Sequence, residues 1–276
     1  MAGKNNIHFR ILEDIARDLS GDVNFPTCLD AAILVRNTLR DPFANIEQVV
    51  QAIGVEPLIA SKLLRLANSV SRNPSGERIT NLSAAIGRLG FDIVRTTSLA
   101  VAMDQMLKSR NLACYEPIAR KTWEHSVHVA AIARVLARHL GRVQPDEAMM
   151  AGLVHNIGVY YLLYRAAEYP EYRNNEPAMI ELLAGWQESI GESLLHTLGV
   201  PPAIAEAVRD QKLLRNTHTP CTVADVLHFS IVLAGNDLAW QASPVAGENE
   251  ADLAMYVDLL TDADEDIADL RAALTA

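Results

Sequence analysis

A chain of 276 residues that is half apolar but only 5% aromatic is long enough to bury a sizeable core, and its apolar share, dominated by Ala, Leu and Val, favours packed helices over a β-sandwich. The formal charge of −10 argues against a broad electrostatic grip on nucleic acid or on an anionic membrane. No apolar run reaches the roughly 18–20 residues of a bilayer span, and Lys4, Arg10, Glu13, Asp14 and Asp18 interrupt the first twenty residues, so neither a membrane segment nor a signal-peptide core is expected and the expected location is cytoplasmic.

Taken in order, Ile7, Ile11, Ile15 and Leu19 recur every four residues and predict an amphipathic helix that packs on something else. Gly21 stops it, and Pro26 starts a second helix that runs to about Arg40. Asn45 with Gln48 forms a capping box for the third helix, and Gly54 is the expected left-handed exit. Glu56-Pro57 opens a fourth that ends in Ala67-Asn68-Ser69. The third and fourth together look superficially like a helix-turn-helix, yet only Lys62 and Arg65 could meet phosphates, too few for nucleic acid.

Residues 71–80 are polar and read as an exposed loop. A short helix from Asn81 to Leu89 closes at Gly90, and an apolar helix runs from Phe91 to about Leu107. Glu116-Pro117 begins a helix that Gly141 ends; Pro145 begins the next, which Gly158 is expected to break, with a further apolar helix over Tyr160–Arg165. Residues 170–177 read as a polar connection with little to bury. Helical pattern returns over Ala178–Leu198, from Pro201-Pro202 to Gln211, and over Val223–Gln241. The acidic stretch beyond Glu248 keeps helical spacing and is expected to dock back on the body, a partly disordered tail being the alternative. With no strand-like alternation and no internal repeat, the chain reads as all-α. Cys28, Cys114 and Cys221 lack metal-site spacing and read as small buried residues; Cys114 and Cys221 also lack an evident basic neighbour.

Helical phase turns three polar positions inward. His125 shares its face with Val129, Ile132, Leu136 and Leu140, which turns it inward. Asn156 falls in line with Met149 and Leu153. On the Val223–Gln241 helix, Asn236 follows the stripe of Val226, Phe229 and Leu233, whereas its neighbour Asp237 follows Ser230 and Ala234. With His155, the inward set is His125, His155, Asn156 and Asn236, and its bland reading is a buried hydrogen-bonded network that fixes three helices. Arg88, Arg95 and Lys121 could receive a small anionic ligand if they face that set. His128 and His139 fall near the polar side of their helix and read as exposed or half-exposed.

Trp123-Glu124-His125-Ser126 followed by Ala151-Gly152-Leu153-Val154-His155-Asn156-Ile157-Gly158 resembles the layout of the HD phosphohydrolase superfamily, a histidine followed by a His-Asp doublet and a later aspartate. The doublet here is His-Asn. Adding Phe25-Pro26, Asp41-Pro42, the block Lys62-Leu63-Leu64-Arg65-Leu66-Ala67-Asn68-Ser69 and the stretch Ile79–Gly90, the pattern resembles the HD-related output domain (HDOD) family from about Leu19 to Gln211. It implies an HD-like multi-helix bundle over residues 19–245, flanked by a packed N-terminal helix at 1–18 and acidic C-terminal helices at 246–276. Members often have a histidine where this chain has Gln187 and a His-His pair near Gln211, so the chain resembles a degenerate member.

With amides at two carboxylate positions, a divalent cation loses its charge partners, and metal-assisted hydrolysis loses the ion that activates water. The expectation is therefore no metal and no cofactor, and the resemblance to the HDOD family implies a non-enzymatic output or adaptor module of bacterial signal transduction whose partners are signalling proteins. A metal-dependent phosphohydrolase acting on a nucleotide or phosphoester and a small-molecule nucleotide sensor are the alternatives.

Overall fold

The computed structural model of the chain describes residues 4–20, 30–69, 72–73, 76–213, 219–235, 238–241, 256–261 and 263–275, and among them the regular structure is helical, with no strand. The organising element is α7 (Glu116–Leu140), a helix of 25 residues started by Pro117 in its first turn and ended by Gly141 in the left-handed conformation at φ 66°. It is buried on most sides from Ala119 to Ala137, and its run of Ala130, Ala131, Ala133 and Ala137 keeps its surface low. Small side chains let a neighbour approach to backbone contact: α8 (Pro145–Val154) crosses it where a Cβ on Gly152 would stand 2.6 Å from the Ala130 Cα.

Around α7 lie α6 (Phe91–Leu107), α9 (Ile157–Ala166), α12 (Val223–Ala234) and α13 (Asp264–Thr275). The N-terminal part, α2 (Asp30–Leu39), α3 (Ile46–Ile53), α4 (Pro57–Ala67) and α5 (Leu82–Leu89), packs on α6 and on itself. Helices α10 (Glu176–Thr197) and α11 (Pro202–Arg209) close the other side against α8, α9 and α12. α1 (Lys4–Ser20) lies on α9 and α10 with Ile11 and Ile15 fully buried.

Local signals set most boundaries. Asn45 and Gln48 make the reciprocal capping box, Glu56 accepts from the Leu58 amide ahead of Pro57, and Asn81 accepts from the Ala84 amide. Asn68 ends α4 and then works as a splint, because its amide donates to the carbonyls of Leu64 and Ile79 and its oxygen accepts from the Ile79 amide, all at 2.8 Å. Ile79 is held there, and Asn73 is buried, donating to the Glu77 carbonyl and accepting from Arg88 at 2.5 Å.

Several expectations are corrected. Gly54 is right-handed, φ −59°, because the chain leaves α3 through a further tight turn in which the Glu56 amide reaches the Ile53 carbonyl. Gly158 does not break a helix; it lies inside α9, and the break falls one turn earlier at His155 and Asn156. α12 ends at Ala234, where Gly235 turns at φ 79°, so the stripe used to place Asn236 is not one continuous helix. Residues 170–177 do bury side chains: Tyr172 is 1% exposed and its hydroxyl lies 2.8 Å from His8 Nδ1, while the Tyr169 hydroxyl donates to Asp14, so this connection anchors α1. Cys114 and Cys221 are exposed, and Cys221 has Arg142 beside it at 2.9 Å; Cys28 lies outside the described residues. Lys62 is buried and Arg65 donates to the Ala272 carbonyl of α13, so the two cations of the helix-turn-helix resemblance do not form an open phosphate-binding face. Among the described residues no helix is long and apolar enough to cross a membrane.

Candidate functional site

The two histidine blocks meet where α7 passes the α8–α9 junction. His155 and Asn156 are both 0% exposed and His125 is 9% exposed; the His125 and His155 rings lie edge to face with centroids 5.5 Å apart. Two packing glycines bring the junction into place. Gly152 lets α8 reach α7, and Gly158 lets α9 reach α10 so closely that a Cβ there would stand 2.0 Å from the Gln187 carbonyl oxygen. The Ala-Gly-Leu-Val-His-Asn-Ile-Gly block is thus as much a packing motif as a polar one.

Hydrogen bonding fixes the protons. His155 Nδ1 stands 2.6 Å from the Gly152 carbonyl oxygen. A carbonyl can only accept, so Nδ1 carries the hydrogen and Nε2 keeps the lone pair. That lone pair accepts from the Asn156 amide at 2.8 Å, and the second amide hydrogen of Asn156 goes to the Ser126 hydroxyl at 3.2 Å. Burial, with the His125 ring beside it, pulls the His155 imidazole down to about 3 against the opposing Gly152 bond, so the ring is neutral near pH 7. Tyr160, one turn after Asn156, is wholly buried at Ser126, and burial pushes its phenol well above its ordinary range.

Two neighbouring side chains are neutral amides. The Gln211 amide donates to the His155 carbonyl at 3.1 Å. Gln187 is 1% exposed and donates to Glu188, a carboxylate that faces Lys212 at 2.7 Å. Among the described residues no donor reaches the buried amide oxygens of Asn156 and Gln187. The HD layout implies a divalent metal, and the donors present do not fit one. The His155 nitrogen that would bind it is occupied by an N–H, and the adjoining residue offers an amide where a charged oxygen is needed. Among the described residues no group of three His, Cys, Asp or Glu side chains is placed to hold an ion.

The structure therefore brings His125, His155 and Asn156 together, while Asn236 and Asp237 lie outside the described residues. Of the proposed anion contacts, Arg88 on α5 donates to Asn73, Arg95 on α6 pairs with Asp92 at 3.1 Å, and Lys121 is exposed on α7. His128 is half-buried and His139 exposed. Sequence reasoning did not single out Ser126 or Tyr160. The four-residue step from Asn156 to Tyr160 could have flagged the tyrosine, whereas Ser126 becomes visible only when α7 and the junction are put side by side.

The family model for the HDOD domain matches residues 25–213, more than half of the chain. The chain belongs to the HDOD family. Among solved structures, a Shewanella amazonensis protein described as a candidate metal-dependent phosphohydrolase matches with a TM-score of 0.75 at 21% identity, over 99% of this chain and 100% of its own. An HDOD domain protein of unknown function from Geobacter sulfurreducens matches with a TM-score of 0.56 at 19% identity, covering 97% and 98%. A candidate signal transduction protein from Marinobacter aquaeolei matches with a TM-score of 0.60 at 18% identity, over 98% of this chain and 66% of that one. At these identities the likeness is one of fold. No curated protein matches the chain.

Proposed function

We propose that this HDOD protein is a non-enzymatic output or adaptor module of bacterial signal transduction, presenting helical surfaces to signalling proteins. The observation that carries the reading is the Asn156 N–H on the His155 Nε2 lone pair. A water activated by a cation requires that nitrogen as a ligand and a carboxylate beside it, and this pair serves as an internal strut instead. The neutral shell of Gln187, Gln211, Ser126 and Tyr160 supports the same reading, as does the description of the Marinobacter neighbour. The Shewanella neighbour's description points the other way, to metal-dependent phosphohydrolysis.

One experiment separates the two. Protein purified without chelator is assayed for bound metal and for turnover of generic phosphoesters with added Mn²⁺, Mg²⁺ or Zn²⁺. The adaptor reading expects metal far below stoichiometric and no metal-dependent turnover. Stoichiometric metal together with turnover that His155→Ala abolishes overturns it.

A further inference from the structure

A surface cavity of about 540 Å³ lies where the C-terminal end of α7 meets the first turns of α8, α11 and α12. It is separate from the His155 cluster: its walls are Arg142 and Gln144 between α7 and α8, Glu147 on α8, and Cys221 with Thr222 ahead of α12. Its apolar lining comes from Val143, Ala203 and Val223. That volume falls within the range of small-molecule sites, which are mostly apolar with a few placed polar groups.

Two of the wall residues carry opposite charges that are not spent on each other. Arg142 donates to the Cys221 sulfur at 2.9 Å, a weak acceptor, and among the described residues it forms no ion pair with a carboxylate. Glu147, half-buried on the first turn of α8, likewise forms no ion pair among the described residues. The other acid of that turn, Asp146, is occupied by Arg72 and by Arg134 at 3.4 Å. A ligand that is only anionic would meet the Glu147 carboxylate, and one that is only cationic would meet Arg142. A molecule with both charges satisfies both walls. Carboxylate–guanidinium pairing is strong and directional.

We propose that this cavity binds a small zwitterion of the amino-acid type, its carboxylate held by Arg142, its ammonium by Glu147 and its side chain against Val143 and Val223. This assignment is independent of the adaptor reading. Cys221 serves only as the reporter, because an occupant that engages Arg142 covers the sulfur to which Arg142 is bonded.

The test uses the full chain and an equimolar mixture of the standard amino acids other than cysteine, whose thiol would consume the maleimide, with the same mixture N-acetylated or converted to methyl esters as single-charge controls. Alkylation of Cys221 by N-ethylmaleimide is followed by peptide mass spectrometry, with exposed Cys114 as the internal reference. A ligand at ten times its Kd should slow Cys221 about tenfold by occupancy and leave Cys114 unchanged, while neither control protects. Arg142→Ala and Glu147→Gln should each remove protection without lowering the melting temperature. No protection by the mixture, or equal protection by the acetylated mixture, overturns the proposal.

Discussion

Asn156 donates to His155 Nε2 across 2.8 Å, and the Gly152 carbonyl, 2.6 Å from Nδ1, holds the ring proton on the far side. Reversing the Asn156 amide would set its oxygen against a nitrogen lone pair, so the pair has one satisfied arrangement. Asn156, which stands where the HD layout has an aspartate, is therefore bonded to the histidine that precedes it.

Restoring the carboxylate tests that bond. Asn156→Asp puts a fully buried charge beside a lone pair and removes both the bond to His155 and the bond to Ser126. Urea unfolding at pH 7 should show a loss of about 3–5 kcal/mol, the cost of an uncompensated buried charge. The deficit should narrow on acidification, because a protonated carboxyl can donate to Nε2. An unchanged midpoint contradicts the geometry.

His155 also sets a pH dependence. Its folded value lies near 3, below the ordinary 6.5, so it binds its proton more readily when unfolded. Its contribution is fully present above pH 6.5 and is lost progressively as pH falls towards 3, at up to about 1.4 kcal/mol per pH unit. His128 is lowered too, chiefly by burial, and adds to the wild-type slope. His155→Gln should therefore show a shallower fall in stability between pH 6.5 and 5 than the parent, measured by urea titration at each pH. Parallel slopes would show that the ring is not held neutral.

The glycines make a matched pair. Alanine at Gly158 would place its methyl 2.0 Å from the Gln187 carbonyl oxygen, whereas at Gly191 the nearest atom is a Val208 methyl at 3.4 Å. Gly158→Ala should cost about 3 kcal/mol through forced separation of α9 and α10. Gly191→Ala should be neutral or gain up to about 1 kcal/mol of helix propensity. Denaturation midpoints compare them directly.

Asn68→Ala removes two bonds that tie residue 79 to the end of α4 and a third to the Leu64 carbonyl. A loss of about 1–3 kcal/mol is expected, together with faster limited proteolysis between residues 69 and 81. Unchanged cleavage there would mean that the splint is redundant.

The sequence was informative where structure is set locally. Asn45 with Gln48, Pro57, Asn81 and Gly141 each act within a turn of the boundary they mark, and the inward phase of His125 follows from one helix's own period. It misled where the cause is tertiary. Gly158 looks like a helix breaker until Gln187 is set against it, and the stripe through Val226 and Leu233 looks continuous although Gly235 ends α12. Tyr172 resembles a polar linker residue until α1 lies over it. The His-Asn doublet was legible as residues, but the direction of its hydrogen bond was not, since that depends on the Gly152 carbonyl and on Ser126 from another helix.

Long-range ¹H–¹⁵N correlation spectra of the His155 ring, recorded with and without Mn²⁺, test the central claim most directly. The neutral Nδ1–H form, with signals unbroadened by the added ion, is the predicted result. A proton on Nε2 in the metal-free protein, or selective broadening of the His155 signals by stoichiometric Mn²⁺, would contradict it.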